Sequence, residues 1–579
     1  MYMKANGLIA DLLNYFNGGN VEITFPELAD YNLKIQVSNT LKKSYPLAIV
    51  YCENAEHIKR CLSFSKLYKL AFRIRSGGHN HEGYCSANNT LVIDISKINE
   101  VKIFNDKDFR FEKQQDKWPG INGLGVIGAG SKFGALYNQL IKEGYIIAGG
   151  GCESVSIGGF AQGGGWGPYS RFLGMGCDNI LGVQIVLPDG EEKIYFDQAF
   201  ENLNAQLIQK LKLGENAKID YCKGKDNILY AIRGGGGGNF GVIVNFFYRI
   251  HQVHDKITEF SLSYHANRAE EVTRKWLAMI TYPDARQTSA CRIAVSDKAD
   301  TDSAGIIIVG KYLGNNQELI VFLNRFGLLE KGCRYKYVET TPLPLEKTDQ
   351  GVLKRKSVLS DQYEGENFLI PDQLQLLDTH IYSAVNKESI HAKSSKKVEN
   401  NFMLPIPNYP NAPGSTCDRP HPHKVTSFYP KKDQSTGLIH RIIEIVQKEK
   451  YDNRINKYVS LHGMGGNIGK LKIDSAMPYK DKDFIVQLQA WWDFDFDNQF
   501  NTESVNWVHE TRNKLKDIIE GAFINFIDKD IIADYNASEE KRKELLNIYY
   551  GNNLDELIKL KKIVDVNNRF NFEMSVPVK

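Results

Sequence analysis

The chain has 579 residues, 42% of them hydrophobic, which suffices for a large core and for more than one domain. Its 72 Lys and Arg residues nearly balance 69 Asp and Glu, and the formal net charge of +3 predicts no electrostatic steering towards nucleic acid or an anionic membrane. No apolar run approaches the roughly 20 residues that cross a bilayer, and Lys4 and Asp11 interrupt the first segment where an export signal needs an unbroken apolar core, so the expected location is the cytoplasm.

Residues 6 to 16 have the spacing of an amphipathic first helix. From about 46 to 105, strand-like "PLAIVYC", "LAFRIRSGG" and "TLVIDISKI" alternate with the helical "NAEHIKRCLSFSKLYK", the texture of an α+β or α/β chain. The polar stretch 104 to 122 predicts an exposed excursion between strands, and 196 to 226 predicts a second. A third stretch, 385 to 424, contains "NYPNAPGSTCDRPHPHK" and reads as loop from its Pro, Asn and Ser content. Glycines gather before residue 242, while the aromatic strand formers "KYVSLHGMGG" and "DFIVQLQAWWDF" follow it, which places a boundary near 250. The nine cysteines are odd in number and include no C-x-x-C pair, which argues against a disulfide framework and a zinc ribbon, and no metal site is expected.

Two stretches match the dinucleotide fingerprint by letter, and both fail it in context. "GLGVIG" at 123 to 128 has a helix behind it but no buried strand before it and no acid about 20 residues on. "GGGNFG" at 236 to 241 leads into the strand "VIVNFFYRI", where a pyrophosphate needs a helix N-terminus. Three dense clusters remain: "RSGGHN" (75 to 80), "AGGGCESVSIGGFAQGGGWG" (148 to 167) and "RGGGGGNFG" (233 to 241). Glycine weakens helices and strands by roughly 0.5 to 1 kcal/mol per residue, so clusters of this density point to backbone lying close against a large flat or phosphorylated ligand.

These motifs, with "DVNNRF" at 565 to 570 closing the series, resemble those of the berberine-bridge-enzyme-like branch of the vanillyl-alcohol-oxidase flavoproteins. The resemblance covers about 45 to 245 and the last 35 or so residues. It implies an α+β fold: an FAD-binding domain of residues 1–248, a substrate domain of 249–539 with an antiparallel sheet backed by helices, and a segment 540–579 that returns to the first domain. It also implies FAD joined covalently to the ring of His79 and the sulfur of Cys152. The remaining cofactor-binding positions it implies are Arg75, Ser76, Gly77, Gly78, Asn80, Gly83, Ser154, Val155, Gly158, Gly159, Gly163, Gly164, Ile243, Tyr550 and Asn552. Imidazole and thiolate are both nucleophiles and oxidised isoalloxazine is electron-poor, so the chemistry is consistent.

The implied activity is hydride transfer from an alcohol, a sugar or a small natural product, to flavin and then to O2, giving H2O2. Val155 matches a position that tunes oxygen access. The chain departs from the family where a base is expected: His81 stands in place of a tyrosine, His462 precedes Gly465 and Gly466, and Gln487 and Gln489 replace a tyrosine or glutamate. Two imidazoles thus occupy positions for general-base work, His462 as proton acceptor and His81 orienting the substrate. Phe160 replaces a histidine near the flavin pyrimidine edge. Trp491, Trp492, Phe494 and Phe496 offer a stacking wall, although strand alternation lets only one of the two tryptophans face the site. C–N bond oxidation with cyclisation and a vestigial flavin-binding protein are the alternative readings; small-molecule substrate and O2 are the expected partners, with the oligomeric state open.

Overall fold

A computed structural model describes residues 2–17, 21–105, 107–114, 117–118, 120–213, 218–253, 256–297, 304–330, 332–340, 346–347, 353–354, 360–366, 420–492 and 498–579. The architecture is α+β. After a first helix, Tyr2–Tyr15, strands β1 (Glu22–Thr24), β2 (Ala48–Tyr51), β3 (Phe72–Arg75) and β4 (Leu91–Asp94) form a four-stranded sheet in the order β1-β2-β4-β3. β2, β3 and β4 run parallel. The helix Ala55–Leu67 connects β2 to β3. The Asn54 side chain accepts from the His57 amide at its N-terminus, and Ile58, Cys61 and Leu62 repeat at helical spacing to bury one face.

A seven-stranded sheet follows, with β5 (Val101–Asn105), β6 (Gly123–Gly128), β7 (Tyr145–Ile146), β8 (Ile180–Val186), β9 (Glu192–Asp197), β10 (Ile219–Cys222) and β11 (Val242–Gln252). "GLGVIG" is strand β6 itself, antiparallel to β5 and β11, so the parallel unit that a dinucleotide fold requires is absent there. Its glycine Gly128 admits a crossing chain: a Cβ would stand 2.3 Å from the Ile98 carbonyl oxygen.

The excursion at 104 to 122 exposes Lys107, Arg110, Glu112 and Lys113 but turns its apolar residues inward. Phe109, Phe111, Trp118 and Ile121 are buried with Phe196, Phe200, Leu203 and Phe247 in a satellite core, because its aromatic residues outweigh its charges. The stretch 196 to 226 is likewise built, holding the helix Asn204–Lys210 and strand β10.

The chain then enters a third sheet of nine antiparallel strands: β12 (Ile257–His265), β13 (Gln287–Ala294), β14 (Ala304–Leu313), β15 (Arg334–Thr340) and, after a small hairpin of β16 (Glu346–Lys347) and β17 (Leu353–Lys354), β18 (Ser360–Glu366), β19 (His423–Pro430), β20 (Ile455–Gly463), β21 (Phe484–Trp492) and β22 (Ile519–Glu520). Their order is β18-β15-β12-β14-β13-β20-β21-β19-β22. Helices Ala269–Thr281, Asn316–Arg325, Ser435–Lys448 and Asn498–Lys514 cover one face with a single core. Most of the loop expected at 385 to 424 lies outside the described residues, and its last two residues, His423 and Lys424, open strand β19. No helix among the described residues is long and apolar enough to cross a membrane.

Candidate active site

Where β3 ends, the chain turns through Gly77 and Gly78 to His79. Opposite it lie the helix Ile157–Gln162, the glycine turn 236–238 and, from the C-terminal segment, Tyr550 and 570–572. Together they enclose a cleft with ≈ 1180 Å³ of free space, part of it open to solvent. Four glycines on its wall, Gly78, Gly159, Gly237 and Gly238, have no atom beyond their chain neighbours closer than 3.6 Å to the position a Cβ would take. Their bare backbone therefore faces the cleft, and an elongated ligand lying along main chain is what such a wall accommodates. Gly158 serves a different purpose, since a Cβ there would meet the Ala129 carbonyl oxygen at 2.5 Å. Asn239 braces the turn by donating to the Gly235 and Gly236 carbonyls (3.1 and 3.2 Å), and the Tyr550 hydroxyl donates to Gly235 as well (3.1 Å). His79 stands at the cleft wall with Nε2 2.9 Å from Ser154 Oγ.

The nine-stranded sheet turns its other face towards this region. Alternation puts Val459, Leu461, Val486 and Leu488 into the helix-covered core and leaves Ser460, His462, Gln487 and Gln489 on the opposite face. His462 Nε2 lies 3.0 Å from Gln487 Oε1, and its ring packs against Trp166 and Phe526 at centroid distances of 4.5 and 5.5 Å. Burial lowers its pKa to about 4, and its buried Nδ1 has no hydrogen-bond partner among the described residues.

On the neighbouring strand, His423 stacks on Trp491 (4.0 Å) and meets His81: His81 Nδ1 is 2.9 Å from His423 Nε2. The proton positions follow from the other end of the chain. His423 Nδ1 lies 2.9 Å from the His421 carbonyl, which can only accept, so Nδ1 carries the proton. Burial holds both rings neutral, His81 down to about 3 and His423 well below the usual imidazole range. His423 Nε2 is therefore a lone pair that accepts from His81 Nδ1–H, and His81 presents an unprotonated Nε2.

Residues 46–194 match the FAD binding domain family, and residues 522–577 match the family described as berberine and berberine like. The uncharacterized FAD-linked oxidoreductase YgaK of Bacillus subtilis is 23% identical over 550 residues, 95% of each chain. BBE-like 1 of Physcomitrella patens superposes with a TM-score of 0.67 at 20% identity, covering 99% of both chains, and a chitooligosaccharide oxidase with 0.65 at 16%, covering 98% of this chain and 99% of that one. The chain is an FAD-linked oxidoreductase whose FAD-binding and berberine-like segments match those family models and whose relatives include berberine-bridge-enzyme-like proteins. The bare-backbone cleft fits FAD as its cofactor: a long dinucleotide needs main chain to approach closely, and four wall glycines leave that space open.

Of the residues that the berberine-bridge resemblance implies for FAD, Ser76, Gly77, Gly78, His79, Asn80, Val155, Gly158, Gly159 and Tyr550 line the cleft. Ser154 stands behind His79. Arg75 does not reach the cleft; its Nε lies 2.5 Å from Asp94 Oδ2 and Nη1 donates to the Lys34 carbonyl, so it fastens β3 from behind. Ile243 is buried opposite Ile185 in β11, and Asn552 is exposed on the surface. Gly83 packs on Lys42, Gly163 on Asn525 and Gly164 on Met477, none at the wall.

Cys152 departs furthest from expectation. Its sulfur is in a disulfide, whereas the seven other described cysteines are free, so in this state it cannot also bond a flavin carbon. Phe160 packs edge-on against Phe133 (4.8 Å). Trp491 faces the site and Trp492 the core, while Phe494 and Phe496 lie outside the described residues.

Sequence reading missed several cleft residues: Gln162, Asn239, Asn525 and Phe572. Asn239 was legible as the polar side chain that follows the five glycines of "RGGGGGNFG"; Asn525 carried no signal of its own. His423 was missed because its proline-rich surroundings read as loop.

Proposed function

We propose that the protein is an FAD-dependent oxidase of alcohols, acting on a sugar or a small natural product with O2 as the final acceptor and H2O2 as product. Bound FAD supplies a hydride acceptor that O2 can reoxidise. The observation that carries the reading is the neutral His81, whose Nε2 is a lone pair two residues from the His79 wall of the cleft. An alcohol placed there donates its hydroxyl proton to His81 Nε2 while its carbinol hydrogen leaves as hydride. The new charge on His81 is shared with His423 through the 2.9 Å hydrogen bond, and the His423 Nδ1–H remains anchored on the His421 carbonyl. His462 donates from Nε2 to Gln487 Oε1 and keeps an Nδ1 lone pair, so it is a second proton acceptor beside His81, the role expected of it from the sequence. The chitooligosaccharide oxidase of the same fold is, by its name, an oxidase of a carbohydrate, and this supports an alcohol substrate.

His79, whose ring is oriented by Ser154, would hold the flavin covalently. Attachment at Cys152 requires its disulfide to be reduced to the thiol first.

The test joins two measurements. Acid-precipitated protein is expected to stay yellow and His79→Ala to lose that colour, most completely after reduction together with Cys152→Ala; complete release of flavin from the unmodified protein refutes the attachment. Peroxide formation over a panel of alcohols is expected for the native enzyme, with His81→Gln lowering kcat by about 100-fold or more at unchanged FAD content. Dye reduction without peroxide would make the protein a dehydrogenase, and no turnover at all would leave a flavin-binding protein.

A further inference from the structure

The sheet face that carries the histidines also carries one unpaired cation. Arg292 lies on β13, opposite Ser460 of β20 and Ile307 of β14. Its neighbours Cys291 and Ile293 enter the helix-covered core, so alternation turns Arg292 to the site side. There its guanidinium lies over the Tyr458 ring, 4.5 Å from the centroid. The side chain is half-buried, and among the described residues it has no carboxylate partner and no hydrogen bond.

The charge balance of the surroundings sharpens the point. The site-facing residues of β13, β19, β20 and β21 are Thr, Ala, Asn, Ser, Gln, His, Val, Ile, Tyr and Trp apart from Arg292 itself, with no Asp or Glu. The histidines are neutral. A guanidinium keeps its charge at every accessible pH, and a charge partly removed from water is ordinarily compensated by an opposite one. Elsewhere in this chain that rule is met: Arg75 pairs with Asp94 and Arg233 with Asp197. Arg292 has stacking but, among the described residues, no counter-ion.

We propose that the substrate carries a carboxylate and that Arg292 binds it. The proposal rests on the reading of this face as the substrate wall and narrows its substrate class to hydroxy acids, sugar acids included. Tyr458 lies under the guanidinium carbon and takes none of its N–H groups, which leaves them for a planar, bidentate partner. A single cation without a lysine or an amide nest beside it matches the single charge of a carboxylate better than the double charge of a phosphate. Arg292 on β13 is separated from Gln487 on β21 only by Ser460 on β20, so a carboxylate on Arg292 places the carbons next to it towards His462 and its neighbours.

The test is equilibrium binding to the FAD-loaded protein by calorimetry, with two matched pairs: benzoate against benzamide and D-gluconate against D-glucose. The acids are expected to bind at least 10-fold more tightly than their neutral partners. Arg292→Met is expected to abolish that preference and Arg292→Lys to retain part of it, at unchanged FAD content and melting temperature. Equal binding of acid and neutral partner, absence of binding by either acid, or an Arg292→Met variant that keeps the preference would each overturn the proposal; inorganic phosphate bound more tightly than either acid would overturn the choice of carboxylate. A variant that loses thermal stability but keeps the acid preference makes Arg292 a structural partner of Tyr458, which also overturns it. Turnover separates this from the oxidase reading. Peroxide from neutral alcohols alone, unaffected by Arg292→Met, sinks only the carboxylate; an acid preference without peroxide from any alcohol sinks only the oxidase.

Discussion

Asn39 shows how a single amide sets the chemistry of two distant histidines. Its Nδ2 donates to the backbone carbonyls of His81 (2.7 Å) and His423 (3.0 Å), and its Oδ1 accepts from the Leu41 amide at 3.2 Å. It therefore fixes the loop after β3 against the start of β19, where the two imidazoles meet. Asn39→Ala leaves two buried carbonyls without donors, which costs about 1 to 3 kcal/mol each at most, and lets the rings drift apart. The expected result is a lower melting temperature and a fall in kcat larger than any change in KM, with FAD retained; a kcat equal to that of the native enzyme would show that the relay needs no such clamp.

Two of the site histidines, His81 and His462, give a pH dependence. Their folded pKa values, about 3 for His81 and about 4 for His462, lie below the ordinary imidazole value of about 6.5. Below pH 6.5 the unfolded chain takes up protons that the folded chain refuses, so stability is lost as pH falls from about 6.5 towards 3, by at most about 1.4 kcal/mol per pH unit for each histidine. Melting curves of native protein and a His81→Gln/His462→Gln variant should converge with falling pH; parallel curves would show that these rings titrate normally. His81, His462, Gln487 and Gln489 were picked out in the sequence by motif position, and alternation along β20 and β21 puts the last three on one face. His423 was hidden in "RPHPHK", where two prolines outweigh a single imidazole in any local reading.

At the scale of elements, the excursion between β5 and β6 teaches how charge misleads. "FNDKDFRFEKQQDKWPGIN" is polar by count, yet four of its five large apolar side chains are buried in a satellite core and the fifth, Phe104, packs against it. Trp118 is fully buried with Arg233 and Arg249 over its ring at 5.4 and 5.7 Å. Arg233 is the first residue of the glycine run that walls the cleft; it pairs with Asp197 at 3.0 Å and donates to the Ile180 carbonyl at 2.6 Å. The excursion thus supports the cofactor wall from behind. Trp118→Ala is expected to cost about 3 to 5 kcal/mol and to lower FAD occupancy, whereas Trp118→Phe keeps most of both. Denaturant titration read beside flavin content decides it, and a Trp118→Ala protein with full stability would mean that the aromatic residue only fills space. The β-branched strands and the helix Ala55–Leu67 were legible because each has one dominant periodicity; the excursion has none, and only tertiary packing reveals its inward face.

Across the whole molecule, the last 58 residues close the structure back on its beginning. Asp565 accepts from the Arg569 and Phe570 amides, both at 2.8 Å, which folds "DVNNRF" into a turn with Asn568 at φ 48°, and Phe570 then meets Phe72 edge-on at 5.1 Å. Lys561 pairs with Asp565 at 2.8 Å, both fully buried, and donates to the carbonyls of Asn239 (2.6 Å) and Phe570 (2.8 Å). The Val576 amide donates to the Asn239 side chain that braces the glycine turn. Burial lowers the Lys561 pKa, and the Asp565 carboxylate opposes that shift.

Removing one partner of this pair strands the other charge, so Asp565→Leu alone is expected to destabilise by about 3 to 5 kcal/mol and to release the cofactor wall. A double Lys561→Met/Asp565→Leu variant removes both charges and should recover part of the stability. It cannot recover all, because the Asn239 and Phe570 carbonyls lose their donor and the turn amides lose their acceptor. FAD occupancy should follow the stranded hydrogen bonds, staying low in the double variant while thermal stability partly returns. If occupancy returns together with stability, the tail acts on the cleft only by keeping the chain folded, and the polar contacts through Asn239 carry nothing to the cofactor.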